Sequence, residues 1–132
     1  MVAVKFRVAR PCDDLAALRR FYVDGLGLLV RGAFEGHLGY DGLVLGTSDL
    51  GMEIEFTRHE AGSPCRAPSR DNLLVFYLDG PPVVAAVEAR MAALGYPPVA
   101  PENPYWVGQS VTYEDPDGWR VVLFDHRQLK PE

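Results

Sequence analysis

The strongest constraint on this chain is that its pattern occurs twice. Phe6 and Leu74 stand 68 residues apart, as do Leu26 and Leu94, and Gly27 and Gly95. Near the end of each half an offset of 67 keeps side-chain parity better, pairing Ile54 with Val121 and Phe56 with Leu123. The first half opens on VKFRVAR (4–10), where Phe6 and Val8 alternate with Arg7 and Ala9 as in a half-buried strand. Asp13 or Asp14 can cap a helix there by accepting its free N–H groups. Leu15, Leu18, Tyr22 and Leu26 form its apolar stripe, and Gly25 and Gly27 end it. Three β segments are expected next, at Leu29 to Ala33, Leu43 to Gly46 and Met52 to Thr57.

The second half repeats this order. LLVFYL (73–78) reads as a strand, and Pro81-Pro82 suits a helix start, where proline's missing N–H is not needed. Val84, Val87, Met91 and Leu94 make the stripe, and Gly95 closes it. Strands are expected near Val99, at Ser110 to Glu114, and at Trp119 to Phe124, with Asp-Pro-Asp-Gly turning between the last two. One βαβββ unit is used twice, at about 4–57 and 72–126, joined by a Gly-, Ser- and Pro-rich linker at 58–71. All of it belongs to one domain spanning 1–132.

At 132 residues such a domain buries enough surface to need no staples. A formal charge of −5 argues against nucleic acid as a partner, because phosphate binding wants a basic patch. No apolar run has the length of a membrane span, and MVAVKFRVAR has no signal-peptide core, so a cytoplasmic protein is expected. In that reducing setting Cys12 and Cys65 are expected as thiols. His37, His59 and His126 do not have metal-ligand spacing and read as surface or rim residues.

Two βαβββ units, FYVDGLGL, a mid-chain EIEFT and the hairpin YEDPDGWRVVLFD resemble the glyoxalase/bleomycin resistance/dioxygenase, or vicinal oxygen chelate, superfamily. ARPCDDL, GYDG and NPYW place the resemblance in a bacterial subgroup without firm function. The resemblance implies an α+β fold in which paired modules form an open barrel-like sheet around a cavity. It also implies one metal ligand on the first and last strand of each module. Carried over, these positions fall on Arg7 (or Phe6), Glu55, Leu73 (or Asn72) and Val122. A divalent ion normally takes three or more protein ligands. One carboxylate among an arginine and apolar residues does not supply them, so no metal and no cofactor is expected.

Parity then picks the binding residues. Glu55 is the candidate catalytic or ligand-binding carboxylate, compensated by Arg7 or Arg120 in place of a metal. Tyr77, Val122 and Phe124 share the inward parity of their strands, and Tyr40, Tyr105 and Trp106 border the opening. The expected function is metal-independent binding of a small organic molecule, such as sequestration of an antibiotic or other hydrophobic or aromatic metabolite, by a homodimer. The alternative is a glyoxalase-like lyase or isomerase, or a dioxygenase-type enzyme, using Glu55 with a weak metal or an arginine.

Overall fold

A computed structural model describes residues 1–48, 51–62 and 66–128. Cys65 lies outside them, so the expectation for the two cysteines is left with Cys12, which is buried. The chain forms two compact units, Met1–Cys65 and Arg66–Glu132.

In the first unit β1 (Phe6–Pro11), β2 (Leu29–His37), β3 (Tyr40–Gly46) and β4 (Met52–His59) form a sheet of order β1-β4-β3-β2. The β1–β4 pair is parallel and the others are antiparallel. The helix α1 (Leu15–Arg19) follows β1. Asp14, not Asp13, caps it, its Oδ1 accepting from the Ala17 N–H at 3.0 Å. The helix is shorter than its stripe suggests, because from Arg20 to Gly25 the backbone widens into a π-helical turn. There the Leu26 N–H reaches the Phe21 carbonyl, and Phe21 and Tyr22 are both fully buried. Gly27 ends the segment at φ 85, a conformation that costs glycine little.

Leu18 and Tyr22 pack on the sheet face formed by Leu43, Leu45, Ile54 and Phe56, all buried; the rings of Tyr22 and Phe56 are 4.9 Å apart. Each such side chain contributes roughly 1.5–3 kcal/mol on burial. The alternation in MEIEFT (52–57) therefore fixes which face of β4 is left for Glu53 and Glu55. Several strand boundaries differ from expectation; β3, for one, begins at Tyr40 and not at Leu43. β2 runs on to His37 with irregular register between Val30 and Gly32. β4 continues through Arg58 and His59, which the composition of 58–71 places in the linker.

The second unit holds β5 (Leu73–Leu78), α2 (Pro81–Ala93), β6 (Ser110–Glu114) and β7 (Arg120–Asp125), with sheet order β5-β7-β6. β7 is buried along its length. Val87 and Met91 of the α2 stripe are buried, and Gly95 follows at φ 85. The strand expected near Val99 is only a single bridge to Thr112. Pro97, Pro98 and Pro101 flank it and have no N–H to donate, so pairing cannot extend. Trp119 belongs to the hairpin turn and not to the strand. Asp115 organises that turn, its Oδ1 accepting from the Asp117 and Trp119 N–H groups at 2.8 and 3.0 Å.

Candidate functional site

In the first unit the strand face opposite the helix is set by register. Arg7 lies beside Glu53 and Ala9 beside Glu55 across the β1–β4 pair, while Gly46 and Val44 face the same two carboxylates from β3. Arg7 is thus within reach of both acids. Its Nε and Nη2 donate to Glu53 Oε1 at 3.1 and 2.7 Å, and its Nη1 is 3.6 Å from Glu55 Oε2. Lys5 Nζ is 3.5 Å from the other Glu53 oxygen. The Glu53 side chain is 10% exposed and that of Glu55 19%.

Glu53 is a functional-face residue that the sequence reading misses, although it has the parity of Glu55 and stands two residues before it. The signal was available in the alternation of EIE; what single-strand reading could not supply was that β1 would be laid parallel with Arg7 opposite Glu53. The hydrogen bond from Arg7, with further help from the Lys5 charge, holds the Glu53 carboxyl below its ordinary value of 4.5, outweighing the opposing effect of burial. The same bond raises the Arg7 guanidinium. Tyr40 begins β3 and its ring meets His59 edge-on at 4.7 Å, so His59 is held at the strand end by Tyr40.

In the second unit Arg120, Val122 and Phe124 share one face of β7, with Leu73, Val75 and Tyr77 beside them on β5. Phe124 is the hub of an aromatic cluster: Tyr77 lies 5.6 Å away and Trp106 6.0 Å, with Tyr105 4.8 Å beyond Trp106. Trp106 arrives on the short 3-10 turn Pro104–Trp106, whose first N–H groups are capped by Asn103 and whose end is tied by Ser110 Oγ to the Trp106 carbonyl. Tyr77 and Tyr105 remain more than half exposed, at 51% and 57%, whereas Val122 is fully buried. Arg120 is buried and committed within its own unit, donating to the Ala100 carbonyl at 2.8 Å and to Glu114 at 3.4 Å.

The donor set does not fit the divalent metal of the glyoxalases. Among the described residues no group of three or more His, Cys, Asp or Glu is gathered for an ion. Val122 and Leu73 offer no donor atom, Arg7 brings a positive charge, and Glu53 is already satisfied by Arg7 and Lys5. Nor is any helix among the described residues long and apolar enough to cross a membrane.

Comparison with known proteins agrees with this architecture. Residues 6–57 match the model of the YycE-like N-terminal domain and residues 71–125 that of the YycE-like C-terminal domain. The chain is 42% identical over 127 residues to the uncharacterized protein YycE of Bacillus subtilis, covering 96% of this chain and 91% of that one. The crystal structure of a B. subtilis YycE protein of unknown function superposes with a TM-score of 0.89 at 41% identity, covering 98% of this chain and 95% of the other. More distant structures share the fold. The trypanothione-dependent glyoxalase I of Leishmania major has a TM-score of 0.70 at 19% identity, over 92% of this chain and 85% of that one. TnmS3, an antibiotic binding protein of Streptomyces sp. CB03234, has 0.64 at 21% identity, over 95% of both chains. Both halves of the sequence, each with its own matching domain model, identify the chain as a member of the YycE-like family, with the glyoxalase/bleomycin resistance fold.

Proposed function

We propose that this protein binds a small organic molecule without a catalytic metal, with Glu55 as the polar anchor on the strand face opposite α1 in the first unit. The observation that carries the reading is the Glu53–Arg7–Glu55 arrangement. A guanidinium fills the role of a cation beside the carboxylate, and two hydrogen bonds tie it to Glu53. Enolisation by Glu55 would need a group to stabilise the developing oxyanion. Arg7 is already held by Glu53, which favours binding over turnover. Taken by itself, the second unit presents an aromatic cluster around Phe124, with exposed Tyr77 and Tyr105 and half-buried Trp106, of the kind that takes flat or hydrophobic molecules. TnmS3 supplies a precedent on the same fold for antibiotic binding, and sequestration of an antibiotic or aromatic metabolite is the form we favour. A cytoplasmic homodimer belongs to the same reading.

The test is a thermal-shift and calorimetric screen of antibiotics and aromatic metabolites, run with and without EDTA. The expected result is stoichiometric binding that EDTA leaves unchanged and that Glu55→Gln weakens. Elemental analysis that finds one transition metal per chain, with turnover of a substrate restored by that metal, would overturn the proposal.

A further inference from the structure

The row of residues across the sheet at Glu55 passes the buried Val44 and is open at its β2 end. In register it runs from Glu55 to Val44 of β3 and Gly32 of β2, and a Cβ added at Gly32 would meet no atom within 4 Å. The next row pairs Gly42 with Phe34 on β2 and Thr57 on β4. There a Cβ on Gly42 would fall 2.2 Å from Phe34 Cζ, so the phenyl ring lies directly on the glycine backbone. Residues with the parity of Gly42 share the face of Glu55, which puts the Phe34 ring on that face, half-buried. Two glycines therefore do different things. Gly42 leaves room for the aromatic ring directly over its backbone, and Gly32 keeps empty the space beside it that a side chain would fill.

We infer that Phe34, seated on Gly42 and bordering the gap at Gly32, is a specificity-determining residue that selects a planar aromatic ligand carrying an N–H or O–H donor for Glu55. The inference rests on the binding role proposed for Glu55. Strands lie about 4.8 Å apart, so Gly32 is roughly 10 Å from Glu55 across the sheet, the length of a fused two- or three-ring system. An ionised carboxylate only accepts hydrogen bonds, so the ligand must bring the donor. Aromatic faces prefer offset or edge contact, which a ring lying beside Phe34 over Gly32 can make.

The probe is 9-aminoacridine, a planar fluorescent aromatic amine, compared with acridine-9-carboxylate of the same ring and with the non-planar cyclohexylamine. Fluorescence titration gives affinity for the two acridines, and amide shifts of Gly32 and Gly42 give affinity for the third and location for all. The wild type should bind the aminoacridine best and shift both glycine amides. Phe34→Leu should weaken it about tenfold, the scale of one lost ring contact, and Phe34→Tyr should restore it. Gly32→Val fills the gap at an unobstructed edge-strand position and should abolish binding while the protein stays folded. Unchanged affinity in Phe34→Leu or Gly32→Val, equal binding of the carboxylate, or no binding of the aminoacridine overturns the inference. If other compounds still bind in an Glu55-dependent manner, the binding role survives it; if none binds, both fall.

Discussion

At the scale of single residues, Glu53 and Tyr113 carry the pH behaviour. Glu53 has its carboxyl lowered by the Arg7 hydrogen bond, so it stabilises the fold above its unfolded value of about 4.5 and loses that contribution as pH falls through the lower folded value. Acid unfolding monitored by circular dichroism should therefore show a proton uptake below pH 4.5 that disappears in Glu53→Gln. Tyr113 is the opposite case. Burial first, and then the charge of Glu88, raise its phenol above 10.0, so its stabilising contribution is complete below pH 10 and is lost as pH rises through the folded value. Absorbance titration at the phenolate band should show one tyrosine ionising late, and Tyr113→Phe should remove that step. Of these residues, only the neighbourhood of Glu55 was legible in the sequence. Parity put Glu55 and Arg7 on one face, but parity gives no distances, and Glu53 is the acid that Arg7 holds at 2.7 Å.

Elements show where local signals suffice and where they fail. The cap of α1 was readable as one of two adjacent aspartates, and backbone geometry chose Asp14. Asp14→Ala should lower stability by about 0.5–2 kcal/mol in urea denaturation, the range for losing an N-cap. The π-helical turn at Arg20–Gly25 has no comparable local signature. Periodicity of Leu18, Tyr22 and Leu26 predicted a continuous α-helix, and the turn widens where Phe21 and Tyr22 are both taken into the core. In the second unit, prolines overrode a β reading at Val99. Their effect is local and could have been weighed; the hydrophobic pattern alone misled.

Across the whole molecule, exposed sheet edges bear on assembly. β1 and β2 are the edges of the first sheet, and Phe6, Leu29 and Val30 on them are substantially exposed, at 64%, 47% and 41%. Unprotected edges with apolar side chains invite pairing with another chain. Light scattering at micromolar concentration should give the mass of a dimer, and Leu29→Lys with Val30→Lys should shift it toward 14.6 kDa, the mass of one chain. A monomer in the wild type would remove the homodimer from the proposed function.

The sequence by itself determined the repeated strand–helix–strands order, which the second unit carries with one strand fewer, the apolar faces of its strands and helices, and the absence of donor atoms at Val122 and Leu73. These are properties of spacing and residue type, which tertiary structure can use but not change. Only the tertiary structure decided the partners. Arg7 and Glu53 are 46 positions apart, and Phe34 meets Gly42 across a strand pair whose register shifts between Val30 and Gly32. Such contacts depend on which strands are neighbours and in what register, and a one-residue slip would reverse every face. The chain encodes the faces locally, and the folded sheet chooses which side chains meet on them.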